Sequence, residues 1–155
     1  MRRFGSTRDL EAARGELLGV SDWAELGERD LQEFGRLTRD EHWIHVDPDR
    51  AAAEGPFGSV IAHGFFTLSL VTGLGNECYA IDAAQRWVNY GLDRVRFLRP
   101  LTPGMPFRLE LTLEDVEITP SGGRLRLGCS LVTRTGDPVL AATWLVLVIE
   151  TEEFP

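Results

Sequence analysis

The segment AHGFFTLSLVTGLGNE, Ala62–Glu77, is the stretch of sequence that decides the fold. Its apolar residues fall on several faces of a helix rather than along one stripe: Phe65, Phe66, Leu68, Leu70, Val71 and Leu74. A helix that is apolar on all sides is buried. Because this segment is also too short to cross a bilayer, it predicts a buried helix at the centre of a soluble fold.

After this helix the apolar residues recur at every second position. The segments Phe107–Glu114 and Leu125–Leu131 alternate apolar and polar residues, which is typical of half-buried antiparallel strands. The sequences SGG at Ser121–Gly123 and TGD at Thr135–Asp137 predict the turns between strands. This half of the chain is therefore predicted to form an antiparallel sheet.

Two more strands are predicted on either side of these two in the sequence. Val139–Ile149 is apolar on both faces, which predicts a strand in the interior of the sheet. Val88–Phe97 predicts a strand in which the apolar alternation slips by one position. That slip predicts a β-bulge near Gly91 or Asp93.

The first third of the chain predicts helices and an irregular connection. Glu28–Arg39 is amphipathic, because apolar residues recur at a spacing of three between charged ones: Leu31, Phe34 and Leu37. Asp40–Val60 is predicted to be mostly irregular, with a short helix over Pro48–Glu54 that Asp47 caps. The order of elements is that of an α+β fold, in which one long central helix is wrapped by an antiparallel sheet.

The composition limits which classes of protein and which partners are possible. The length of 155 residues predicts one domain over residues 1–155, and 43% hydrophobic residues suffice for a core. The net charge of −8 and the pI of 4.9 exclude nucleic acid as the main partner, because phosphate binding needs a basic surface. A phosphorylated small molecule stays compatible, since a few arginines suffice to bind it.

The cysteines and the N-terminus indicate where the protein resides. Cys78 and Cys129 show no CxxC and no metal-binding spacing, so they are predicted to be core thiols in a reducing compartment. Met1–Val20 contains no apolar signal core. We therefore expect a cytoplasmic protein with no membrane partner.

Three residues near the start of the central helix carry candidate chemistry. Asp40 and His45 lie five positions apart in the irregular segment, and a carboxylate beside an imidazole can act as a general acid/base pair. Gly64 stands at the helix start, where backbone N–H groups are unpaired and a glycine lets a carbonyl oxygen approach. The combination predicts proton transfer next to a thioester carbonyl.

Two motifs give this prediction a family. The sequences RDEHWIHVDPDRAAAEGPFGSVIAHGFFTLSL, Arg39–Leu70, and VNYGLDRVRFLRPLTPG, Val88–Gly104, resemble the MaoC-like (R)-specific enoyl-CoA hydratases, particularly their NodN-like branch. The resemblance implies the hot dog fold and dimerisation, here as a homodimer, through the sheet. It also implies reversible addition of water to trans-2-enoyl thioesters, giving (3R)-hydroxyacyl thioesters, without a cofactor.

The resemblance also assigns roles to residues. Asp40 and His45 match the pair that activates one water molecule, and Gly64 matches the position whose N–H holds the thioester oxygen. Thr72 lies near a position where some relatives place a hydroxyl group in the site. Many relatives carry asparagine and proline where this chain has His42 and Trp43, which affects how Asp40 is oriented.

The arginines of the second motif, Val88–Gly104, are candidate ligands for phosphate groups. Arg94 and Arg96, which share one face of the predicted strand, and Arg99 could contact the phosphates of coenzyme A or of an acyl carrier protein. The alternative is that these arginines belong to a solvated strand face and bind no ligand. His63 is predicted to be a hydrogen-bonding residue at the helix start.

Three other readings compete with a hydratase. Asp40, His42, His45 and Asp47 could ligate a metal ion, but alternating positions on an extended loop converge poorly on one ion, so no metal is predicted. A non-catalytic module that binds acyl thioesters would keep the fold without turnover. A hot dog thioesterase is disfavoured because Ala62–Asn76 contains no carboxylate.

Overall fold

A five-stranded antiparallel sheet forms the body of the computed structural model, which describes residues 1–151. The strands follow the order β2-β5-β6-β7-β4 across the sheet: β2 Leu17–Val20, β4 Arg86–Phe97, β5 Phe107–Thr119, β6 Gly122–Thr133 and β7 Pro138–Ile149. The four long strands contain the predicted ones. The two register shifts of β4, at Asn89/Gly91 and Asp93/Arg96, confirm the predicted bulge.

The helices come before the long strands in the chain, and a small second sheet holds the N-terminal residues. They are a 3₁₀ helix at Thr7–Ala13 and the α-helices α1 Glu28–Thr38, α2 Trp43–Val46, α3 Pro48–Glu54 and α4 Gly64–Cys78. The strands β1 Arg2–Phe4 and β3 Tyr79–Ile81 pair in parallel. The helices α1, α3 and α4 confirm the sequence prediction, whereas α2, β1, β2 and β3 are too short for their patterns to be distinctive.

The core lies between α4 and one face of the sheet. Cross-strand neighbours on this inner face are leucines, such as Leu109 opposite Leu131, and Leu131 opposite Leu140, and all three are fully buried. Gly75 lets α4 approach closely, because a Cβ there would lie 3.0 Å from the indole ring of Trp144. The alternation of period two thus places every second side chain in one continuous core.

Two predicted burial patterns are wrong. Phe65 of α4 is 74% exposed and Leu37 of α1 is 80% exposed, although each belongs to an apolar helical pattern. Val71 and Leu74 of α4 are buried in the core, whereas Phe65 of the same helix meets Phe97 of the edge strand β4 and stays mostly exposed. The sequence shows that a residue is apolar and not whether a neighbour is available to cover it.

Local signals at helix and turn boundaries are confirmed. The Asp47 carboxylate accepts a hydrogen bond from the backbone N–H of Arg50 at 3.0 Å, and Pro48 occupies the first turn of α3. Gly122 and Gly136 have positive φ angles at the two predicted turns, where side chains would be strained. Among residues 1–151, no helix is long and apolar enough to cross a membrane.

Candidate active site

The segment between α1 and α4 brings the predicted site residues to the N-terminal end of α4. Helix α1 ends at Thr38, and the left-handed backbone of the next residue, Arg39 (φ of 62°), turns the chain toward Asp40. His45 lies in the one-turn helix α2, and Gly64 is the first residue of α4. The side chain of His42 caps α2 by accepting a hydrogen bond from the backbone N–H of Ile44.

His45 has a defined tautomer. Its Nδ1 lies 2.7 Å from the carbonyl oxygen of Ile61, and because a carbonyl only accepts, Nδ1 must carry the proton. The Nε2 lone pair is therefore available as a proton acceptor. Burial lowers the pKa of His45 below its ordinary value of 6.5, although the Ile61 carbonyl opposes this shift. A neutral, oriented imidazole is the form that a general base requires.

Asp40 and His63 complete a cluster around this imidazole. His63 Nε2 donates to the backbone carbonyl of Asp40 at 2.8 Å, and its ring stacks on that of His45 with centroids 3.9 Å apart. One ligand-type atom from each of the three residues lies within 4.8 Å of the others. Asp40 is exposed, His45 is half-buried and His63 is buried, so the cluster spans the protein surface and the core.

Gly64 and His45 line the same cavity of about 320 Å³. The first-turn N–H groups of a helix lack intrahelical partners, and the macrodipole of α4 favours negative charge there. A Cβ at position 64 would lie 3.1 Å from the ring of Phe97, so a larger residue would require that ring to shift. Phe97 was not anticipated as part of the site, because a residue at the end of a strand carries no sequence signal for contact with a distant helix.

The structure does not bring every candidate residue into this cavity. Thr72 lines a second cavity of about 430 Å³ between α4 and β4, and its hydroxyl donates to the Ser69 carbonyl at 3.1 Å. Arg94 contacts Thr143 at 3.2 Å and Glu114 at 3.4 Å on the outer face of the sheet.

Arg96 pairs with Ala141, which lines the depression on that same outer face. Arg99 does line the cavity that contains His45, and it forms an ion pair with Asp137 at 3.0 Å. The cationic candidates therefore divide between the cavity and the outer face of the sheet.

The cluster of Asp40, His45 and His63 does not have the geometry of a metal site. The two imidazole planes are inclined by only 24° at a centroid separation of 3.9 Å. Nitrogen lone pairs lie in the ring plane, so stacked rings direct them side by side rather than toward one point. A tetrahedral ion needs ligand lone pairs that converge at about 2.0–2.1 Å. The arrangement suits proton transfer better than ligation.

This fold defines a hot dog protein, in which one carboxylate and two imidazoles cluster at the N-terminus of the central helix. A family model described as the MaoC like domain matches residues 9–123. The chain is 46% identical over 117 residues to 3-hydroxyacyl-thioester dehydratase Z of Mycobacterium tuberculosis, an alignment that covers 76% of this chain and 77% of that protein. The chain belongs to the MaoC-like dehydratase domain family, as its sequence motifs predicted.

Two further comparisons support the branch and the fold. Nodulation protein N of Rhizobium leguminosarum is 33% identical over 154 residues, which covers 92% of this chain and 91% of that protein. An unliganded R-hydratase from Pseudomonas aeruginosa superposes with a TM-score of 0.71 at 24% identity, covering 98% of this chain and 94% of that one. The predicted resemblance to the NodN-like branch and the predicted hot dog fold are both confirmed.

Proposed function

We propose that the protein is a hydro-lyase that reversibly adds water to trans-2-enoyl thioesters and forms (3R)-hydroxyacyl thioesters. The observation that carries this proposal is that the Asp40 carboxylate and the His45 imidazole lie in one cluster at the start of α4, with the proton of His45 on Nδ1 and its Nε2 free to accept a proton. The names of relatives, such as 3-hydroxyacyl-thioester dehydratase Z, support the same reaction.

In the hydration direction, Asp40 and His45 hold one water molecule and remove a proton from it. The water oxygen forms a bond to C3 while the C2=C3 electrons move toward the thioester carbonyl. The backbone N–H of Gly64 donates to the oxygen on which negative charge develops. The pair then returns a proton to C2, so the protein ends unchanged. The two residues act jointly, because protons in a coupled pair belong to the pair.

The first test is turnover of enoyl thioesters. Loss of absorbance from the conjugated enoyl group is measured with short- and medium-chain trans-2-enoyl-CoA, and an (R)-specific coupling enzyme reads the product's stereochemistry. We expect turnover that Asp40→Asn lowers by about 10²–10⁴-fold. Folded wild-type protein that binds acyl thioesters but turns over neither coenzyme A nor carrier-protein substrates would contradict the hydratase proposal and favour a binding module.

Arg99 is proposed to contact the phosphate groups of the substrate's carrier, because its guanidinium lies at the cavity that contains His45. Arg94 and Arg96 do not line this cavity and are not included in this proposal. Arg99→Gln should raise KM for an enoyl-CoA a few-fold without changing kcat, since exposed charge pairs contribute about 0.2–1 kcal/mol. Arg29→Gln, on the exposed surface of α1, is the matched control and should leave KM unchanged.

The second cavity, which Thr72 lines, is proposed to receive the acyl chain. It lies between α4 and β4 and has mainly apolar walls, including Leu68, Val71 and Trp144. Phe65 lines this cavity and contacts Phe97 of the first cavity, with ring centroids 6.2 Å apart. The two cavities therefore adjoin at this aromatic pair, which supports a path from the acid/base pair along α4.

A homodimer is proposed to form through strand β4. This strand pairs with β7 on one side only and lies at the edge of the sheet, where unpaired backbone groups favour pairing with another strand. Large apolar side chains are exposed along it: Trp87, Tyr90, Leu92 and Phe97. We expect sedimentation equilibrium to give a dimer for the wild type and a monomer for Leu92→Asp. Leu37→Asp, on α1, should remain dimeric, and a wild-type monomer would contradict the proposal.

A cytoplasmic location is proposed as well. Cys78 and Cys129 are buried free thiols, and burial raises their pKa values to about 11 and about 12 respectively. Such thiols are unreactive, and unpaired cysteines are usual in a reducing compartment. Cell fractionation with a tagged protein tests this location.

A further inference from the structure

His63 joins all three parts of the candidate site. Its Nε2–H donates to the backbone carbonyl of Asp40 at 2.8 Å, and its ring stacks on His45 with centroids 3.9 Å apart. Its own peptide bond supplies the backbone N–H of Gly64. Asp40 and Gly64 are 24 residues apart in sequence, and one side chain and its adjoining peptide connect them with His45.

The position of the His63 ring is tightly fixed. The residue is 3% exposed, and Phe34 packs against the ring with centroids 5.1 Å apart. At Gly35, a Cβ would lie 3.0 Å from the Asp40 carbonyl oxygen and 3.4 Å from His63 Cε1. Helix α1 therefore packs directly against this hydrogen bond, and neither partner has room to shift toward α1.

A purely structural role does not explain a histidine at this position. His63 Nδ1 is buried and has no hydrogen-bond partner among the described residues, which is unfavourable for stability. An apolar residue of similar size would pack the core without that penalty. The hydrogen bond and the ring stack of His63 both lead to the acid/base pair.

We propose that His63 is a positioning residue, which sets the placement of the Asp40–His45 pair relative to the Gly64 N–H by its hydrogen bond and its ring stack. This inference rests on the proposed hydratase function. In catalysis, a misplacement of about 1 Å can cost roughly 10²-fold in rate, so the contacts of His63 should affect turnover more than substrate binding.

Two variants separate the hydrogen bond from the stack. His63→Phe keeps an aromatic ring over His45 and removes the donor to Asp40. His63→Gln keeps an N–H donor at the corresponding distance along the side chain and removes the ring. For His63→Phe we expect kcat to fall roughly tenfold to hundredfold, with KM for an enoyl-CoA within about twofold of the wild type. For His63→Gln we expect a smaller loss of kcat.

The pH profile distinguishes positioning from structural support. The titratable groups that face His45 are Asp40, His42 and His63, and burial of His45 is the main cause of its lowered pKa. Removing the ring in His63→Gln admits water to His45, so the acid limb of kcat/KM should move to higher pH. Both variants remove the electrostatic effect of His63, which also lowers the pKa of His45. In His63→Phe the ring still excludes water, so the limb should move less than in His63→Gln.

The control for a loss of stability is Leu127→Ala, which changes a fully buried residue of the sheet outside the site. That variant should lose stability and keep the wild-type kcat at a temperature where it is folded. The proposal is overturned if His63→Phe keeps the wild-type kcat, if the losses appear only in KM, or if both His63 variants have the same acid limb.

Failure of the proposed function gives a different result. A wild type without turnover on coenzyme A or carrier-protein thioesters refutes the hydratase, and the His63 inference is then decided by NMR titration of His45 in the three proteins. A larger rise in the pKa of His45 in His63→Gln than in His63→Phe supports the stack, and equal values in the two variants overturn it.

Discussion

The strands β5, β6 and β7 and the segment Arg39–Gly64 are built on different physical principles. On the inner face of these strands, leucines such as Leu109, Leu127 and Leu131 are fully buried among many apolar neighbours. In Arg39–Gly64 most side chains are exposed or half-buried, and single polar contacts such as that between His63 and Asp40 define the geometry. We therefore expect the sheet to determine stability and the segment to determine chemistry.

The largest effect is expected from the acid/base pair. Asp40→Asn and His45→Gln should each lower kcat for enoyl-CoA hydration by about 10²–10⁴-fold, the usual contribution of general acid/base groups. Neither variant should lower the melting temperature appreciably, because Asp40 is exposed and His45 is half-buried. Steady-state kinetics and thermal denaturation of the same samples test the separation. Near-wild-type turnover in both variants would show that the site is elsewhere.

The reverse separation is expected in the sheet. Leu127→Ala should lower the free energy of unfolding by about 2–5 kcal/mol, because it removes buried methyl groups and leaves a cavity. Urea denaturation measures this loss. At a temperature where the variant is folded, kcat should equal that of the wild type, and a parallel loss of kcat would show that the sheet and the site are coupled.

The helix cap formed by Asp47, within Arg39–Gly64, tests whether any change in that segment lowers kcat. Asp47→Ala removes the acceptor for the Arg50 N–H at 3.0 Å, which should cost about 0.5–2 kcal/mol of stability. We expect kcat to change less than twofold, since Asp47 does not line the cavity that contains His45. Asp47→Asn, which keeps a capping oxygen, is the matched control.

The lowered pKa of His45 makes a prediction for pH. His45 binds fewer protons when folded than when unfolded, so the wild type should lose stability as the pH falls through 6.5. The same shift should place the acid limb of kcat/KM for hydration below pH 6.5. Denaturation at pH 5 and pH 7 should show a smaller pH-dependent loss in His45→Gln. An equal loss in both proteins would assign the effect to other groups.

The smallest effect is expected on the outer face of the sheet. Glu117 and Arg124 are cross-strand neighbours that form an exposed ion pair at 3.0 Å. Glu117→Gln should change the free energy of unfolding by less than about 1 kcal/mol, because solvent screens exposed pairs. Chemical denaturation at low and high salt measures the difference, and a larger change would show that polar contacts stabilise the sheet as well.

Much of the candidate site could be predicted from the sequence, and the parts that could not depend on how distant elements pack. Asp40, His45 and Gly64 were chosen from residue type and position, and the structure places them at one end of α4. Arg94 and Arg96 were chosen as phosphate ligands, but they lie on the outer face of the sheet, where Arg94 contacts Glu114. The contact of Phe97 with Gly64 depends on how β4 crosses α4, which no local pattern encodes.

The sequence by itself determined the helices, the long strands, their turns and the family, because periodicity, caps and glycine turns act within a few residues. Only the tertiary structure decided that His63 would bond to Asp40 and stack on His45, that Thr72 would line a different cavity, and that Phe65 would be exposed. Those outcomes depend on which distant surfaces meet, because burial and a hydrogen-bond partner are properties of the packed chain and not of a residue.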